Sequence, residues 1–228
     1  MEKNMDRETA LESIKTPFKR LIAGILIIEG SQFIALMAPL MIILVFKVME
    51  IDPEYYTVSF GIITGFGALV AAFANTIGGA LSARTSLKFG RRRTWILIGS
   101  VLGSASLMGI ALSTNVWMIG MFWCAANLFF NFGTSSATAL VPDQVDESPR
   151  GRTSGLIGLI VLFSGIMGML IMNIMGQTPL ILRFTVLAVI SIITALVGVA
   201  LIKEGKVVYS YNDGISSSRL CDWRDTFG

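Results

Sequence analysis

Gly78-Gly79-Ala80-Leu81-Ser82-Ala83-Arg84-Thr85-Ser86-Leu87-Lys88-Phe89-Gly90-Arg91-Arg92-Arg93 is the stretch that decides how this chain folds. It carries five of the eighteen Lys and Arg residues and interrupts two long apolar runs. Apolar runs of membrane length have to return to water here. The cations then set the side of the bilayer on which they return.

The composition supports a membrane setting. Hydrophobic residues make up 54% of the 228 and charged residues 14%, outside the range of ordinary globular domains. Mean hydropathy is +0.72. The charges are clustered, which is the pattern of an all-α polytopic membrane protein. The net charge of +3 resides in loops beside apolar runs. Anionic lipid is the simpler partner there, and nucleic acid is excluded. The chain has no histidine, so His-based zinc sites and Ser-His triads are excluded. No enzyme constellation, metal site or cofactor motif is visible. Cys124 falls in an apolar run and Cys221 in a polar tail, so no disulfide framework is expected.

Six spans are expected: Leu21–Phe46, Thr57–Ala83, Thr94–Leu112, Val116–Val141, Thr153–Met175 and Leu182–Ile202. Each is near the roughly 20 residues that a bilayer core requires. None alternates with period two, as a barrel strand would. Residues 1–20 read as a cytosolic N-terminal segment, with a short surface helix before Pro17. Residues 21–202 read as the membrane bundle and residues 203–228 as a cytosolic linker. Sixteen of the eighteen cations fall on one side of this arrangement, leaving Lys47 and Arg183 on the other. Both termini are therefore expected in the cytosol, with the plasma membrane as the setting. Gly61 with Gly65, and Gly99 with Gly103, have the spacing of close helix contacts. Pro39 should kink the first span. Trp117, Trp123, Tyr55 and Tyr56 read as an interfacial belt.

Polar groups inside the spans are the candidates for function. Glu29 is the acidic residue deepest in a span, with Gln32 on the same face. Asn127, Asn131 and Ser135 recur every four residues and form one stripe. Groups of this kind face a cavity or a partner; helix-to-helix hydrogen bonding is the plainer alternative. Asn75 and Asn173 are weaker candidates, read as structural.

The pattern Gly79-x-x-x-Ala83-Arg84-x-x-x-x-x-Gly90-Arg91-Arg92-Arg93 resembles the loop between helices 2 and 3 of the major facilitator superfamily. Leu81-Ser82 before it and Phe89-Gly90-Arg91-Arg92-Arg93-x-Trp95-Ile96 after it look most like the sugar-cation symporter branch. Val141-Pro142-Asp143-Gln144-Val145, with Arg150-Gly151-Arg152-x-Ser154-Gly155, resembles that branch's connection between helices 4 and 5. The resemblance implies a secondary transporter of small solutes, coupled to a cation, with sugars or glycosides as the first substrate class. It places Glu29, Gln32, Asn127 and Asn131 around a central path. It makes Gly79, Arg84, Gly90, Arg91, Arg92, Arg93, Asp143, Arg150, Gly151 and Arg152 a gate. Asp143, Asp146 and Glu147 are the carboxylates available to the arginines. Ala83 stands where the family has an acid, and Thr94 where it has a proline.

Members of that family have two six-helix halves, and this chain supplies one. It therefore reads as the N-terminal half, partnered by a C-terminal half or by a second copy. Alone it is expected not to transport, and to leave its face of Glu29, Gln32, Asn127 and Asn131 open to lipid. The alternative is a half-size scaffold or a truncated, inactive product.

Overall fold

The computed structural model describes residues 16–84, 90–145, 147–176 and 178–202. The surface helix expected before Pro17, the linker at 203–228, Lys88 and Asp146 lie outside them, as do the side chains of Ala83, Arg84, Arg91 and Glu147. Among the described residues the regular structure is helical. Six helical segments are long and apolar enough to cross a membrane: Phe18–Ile51, Tyr56–Ser82, Arg92–Ala111, Val116–Gln144, Pro149–Ile174 and Leu180–Leu201.

Three boundaries differ from expectation. The first span continues to Ile51, so Lys47 lies on the helix and not in a loop; it is buried and pairs with Glu50 at 3.4 Å. The turn that follows is held by Asp52, which accepts from Tyr55 N–H at 3.2 Å and from the Ser59 hydroxyl at 2.7 Å. The fifth helix starts at Glu147, so Arg150, Gly151 and Arg152 lie on its first two turns. Glu147 and Pro149 are favourable first-turn residues and account for this early start. Asp143 belongs to a short helix, Leu140–Gln144. At Pro39, where a kink was expected, the backbone forms a π-helical segment, Pro39–Ile43, with Leu44 N–H donating to the Pro39 carbonyl. An i→i−5 bond of this kind is one way a helix absorbs a residue with no donor of its own.

The fourth span is the hub. It packs against the second, the third and, less extensively, the first. The sixth packs on the third and first, and the fifth on the first. Close approach depends on glycine at a few places. A methyl on Gly99 would lie 2.5 Å from the Phe129 carbonyl oxygen, and one on Gly103 would lie 2.8 Å from the Phe130 ring. Gly24 and Gly198 bring the first and sixth spans together in the same way. Gly61 and Gly65 do not: nothing lies within 4 Å of either position. Their helix and the fifth are the least buried of the six spans. Trp123 is also not interfacial. It is 2% exposed and packs into the space left by Gly67, whereas Trp117 is 87% exposed.

Two apolar clusters fill the bundle. Leu21, Ile28, Ile96, Ala137 and Val199 belong to the one at the basic end. Ala35, Leu107, Phe130 and Leu187 belong to the other. In four helices buried polar residues lie between these clusters: Glu29, Ser31 and Gln32; Ser100 and Ser104; Asn131, Thr134 and Ser136; and Ser191.

A bulkier residue at Gly99 has to separate two backbones, whereas one at Gly61 meets open space. Gly99→Ala is therefore expected to cost about 2 kcal/mol or more, and Gly61→Ala close to nothing. Thermal unfolding in detergent checks this. Equal losses in the two variants would contradict the packing described.

Candidate functional site

The basic end is held by Arg92. Its guanidinium is nearly buried, at 6% side-chain exposure. Nε and Nη2 donate to Asp143 Oδ2 at 3.2 and 2.9 Å. Nη1 donates to the Ser82 hydroxyl at 2.7 Å and to the Gly79 carbonyl at 3.4 Å. One side chain thus ties together the end of the second span, the start of the third and the end of the fourth. A cation in the first turn of a helix is mildly disfavoured by the helix dipole. The Asp143 charge and the charge-assisted hydrogen bonds more than offset that. Among the described side chains, Asp143 is a carboxylate placed on Arg92; Asp146 and the Glu147 side chain lie outside them. Gly90, with φ of 109°, supplies the turn into the third helix, a conformation that favours glycine. Arg150 has a different task. It donates to the Val145 and Pro142 carbonyls, at 3.0 and 3.2 Å, and so closes the end of the short helix.

The middle of the bundle holds the polar layer. Thr138 Oγ1 donates to Glu29 Oε1 at 2.7 Å and is 2.9 Å from the Thr134 carbonyl. A hydroxyl has one proton, so this contact serves two states. An ionised Glu29 accepts from Thr138. A protonated Glu29 donates to it, and Thr138 then donates to Thr134. Gln32 Nε2 donates to the Ser100 hydroxyl at 2.7 Å. Its amide also fills the space left by Gly133.

Asn131 joins the fourth span to the second. Asn75 Nδ2 donates to Asn131 Oδ1 at 2.9 Å, and Asn131 Nδ2 donates to the Asn127 carbonyl at 2.7 Å. Asn127 Nδ2 donates to the Trp123 carbonyl at 3.0 Å. Asn75 therefore has a larger part in this layer than its sequence suggested, while Asn173 is exposed.

The four expected cavity residues are brought into one layer, but that layer is closed within these six helices. Glu29, Gln32, Asn127 and Asn131 are 2%, 0%, 8% and 7% exposed. The expectation that this face opens to lipid is corrected: the second, third and fourth spans supply their partners from inside. Open apolar surface lies instead on the second span, as at Phe66 and Phe73, and on the fifth, as at Leu162 and Phe163. Ser100 and Thr134 were missed. Short hydroxyls commonly bond their own helix's carbonyls, and sequence carries no sign of which ones also face a neighbour.

Six bilayer-length helices with a polar layer in mid-span define a polytopic membrane protein. Residues 14–219 match the Major Facilitator Superfamily. The chain belongs to that superfamily, and its members are transporters and not enzymes. No curated protein matches the chain closely enough to count as a relative.

The lock makes a measurable prediction. Arg92→Lys keeps the charge but loses the planar fork, so it is expected to lose either Asp143 or Ser82. Asp143→Asn removes the carboxylate charge that the nearly buried guanidinium holds at 2.9 Å. Each is expected to destabilise the chain by about 1–3 kcal/mol. The double variant should be less than additive, because both act on one contact. Additive losses in detergent unfolding would show that the pair does not act as a unit.

Proposed function

We propose that these six helices form one of the two bundles of a secondary active transporter, which carries a small solute by alternating access against a second bundle. The second bundle is a further six-helix half or a second copy. The observation that carries this reading is the Arg92 lock. It joins three helix ends at the stretch that resembles the superfamily's signature, where a rocking bundle needs a rigid end. The exposed second and fifth spans support it, since a second bundle would find its surface there. The cation distribution supports a cytosolic position for the lock and for both termini, in a plasma membrane.

The finer reading is cation-coupled transport of a sugar or glycoside, from the resemblance of the two signature stretches. Glu29 is the residue assigned to coupling. Its contact with Thr138 accepts either protonation state without leaving a donor or acceptor stranded. Gln32, Asn127 and Asn131 hold the layer around it; the resemblance assigns them to the path, which they would reach through a rearrangement within the six helices. Gly79, Gly90 and Asp143 shape the gate with Arg84, Arg91, Arg92 and Arg93. Arg150, Gly151 and Arg152 complete it on the fifth helix.

Two measurements test this. Vesicles containing both bundles should take up labelled disaccharides or aryl glycosides when a proton or sodium gradient is imposed. Glu29→Gln should abolish the gradient dependence and retain solute exchange at equilibrium. Full gradient dependence in that variant would remove Glu29 from coupling, and absence of any sugar uptake would remove the substrate class. For topology, single cysteines at Asn115 and Ser148 in a background without Cys124 and Cys221 should separate: Asn115→Cys reacts with an impermeant reagent on intact cells and Ser148→Cys does not. The reverse result would invert the bundle.

A further inference from the structure

We propose that the crevice between the first and fifth spans, at the basic end, binds one anionic phospholipid. The crevice has a volume of about 360 Å³, within the usual range of ligand pockets. Its walls are Ile22, Ala23 and Leu26 of the first span and Leu156 of the fifth. Thr153 also borders it, but its hydroxyl donates to the Pro149 carbonyl at 2.9 Å, so the interior is apolar in effect. Two cations stand at the rim, Lys19 and Arg152, both exposed. Among the described residues neither has an ion-pair partner, in contrast to Arg92, which is taken up by Asp143. Arg150, one residue from Gly151, is occupied by backbone carbonyls.

This polarity selects the occupant. Lys19 lies in the first turn of the first span, and Arg152 in the second turn of the helix that begins at Glu147. Both are at the depth where a span meets the headgroups. Lys19 to Leu26 covers about 10 Å of helix, so the apolar walls run inward from the cations. A phosphodiester between Lys19 and Arg152 would offset their mutual repulsion, with an acyl chain descending along Ile22 and Leu26. Free phosphate would satisfy the rim and leave the walls empty. An apolar helix from a second copy would fill the walls and leave two cations without an anion. A phospholipid with a net negative headgroup satisfies both parts.

The test uses the purified 228-residue chain in a neutral detergent, titrated with phosphatidylglycerol or with phosphatidylcholine of the same acyl chains. Thermal unfolding and mass measurement of the intact protein are the readouts. Phosphatidylglycerol should raise the unfolding midpoint and remain bound as one lipid per chain. Phosphatidylcholine and inorganic phosphate should do neither. Lys19→Gln with Arg152→Gln should weaken phosphatidylglycerol about 25-fold, about fivefold for each charge. Ala23→Trp should weaken it with no change in charge, by filling the crevice. Equal binding of phosphatidylcholine, an equal shift with phosphate alone, or unchanged affinity in the Lys19/Arg152 variant would each overturn the proposal. A two-chain mass that Ala23→Trp dissociates would assign the crevice to a second copy and overturn it as well.

Discussion

A polar side chain in a bilayer has to find its partner inside the protein, and in this chain the fourth span is where most of those partners meet. Thr138 takes Glu29 from the first span, Gly133 makes room for Gln32, and Asn131 takes Asn75 from the second. The third span reaches the same helix by backbone approach at Gly99. Each contact is worth about 0.5–2 kcal/mol. Their joint effect is a preferred arrangement of four helices that apolar packing alone would leave free to slide. Lipid tails are as apolar as Leu and give adjacent helices no hydrophobic reason to choose one register.

The layer has two properties that pull in different directions. It is fully enclosed in the six-helix bundle, which favours rigidity. It also contains a carboxylate whose partner can act as donor or acceptor, which favours a change of charge without collapse of the surroundings. Arg92 and Asp143 extend the rigid part to the basic end. The second and fifth spans supply the contrast: they are apolar, poorly buried and free of close glycine contacts at Gly61, Gly65, Gly155 and Gly158. The first, third, fourth and sixth spans share the buried polar layer, to which the second adds Asn75, while the second and fifth are the least buried of the six.

Much of this was legible from residue order. Six apolar runs of bilayer length without period-two alternation leave helices as the regular structure in lipid, because backbone donors and acceptors must be satisfied inside the protein and a closed barrel would need that alternation. The distribution of cations and the identity of the polar residues inside spans are likewise properties of a one-dimensional string. Helix ends were less legible. The fifth helix runs through Arg150 and Arg152 because Glu147 and Pro149 favour a helix start, a local effect that hydropathy does not register.

Direction and partnership were decided by the tertiary structure. Gly61-x-x-x-Gly65 and Gly99-x-x-x-Gly103 look alike as strings, yet one pair meets nothing and the other meets Phe129 and Phe130. Trp123 and Trp117 look alike as aromatic residues near a span end, yet one is buried and the other almost wholly exposed. The reason is common to both cases. A helix presents side chains around its full circumference, and only the neighbour it packs against determines which of them meet protein and which meet lipid.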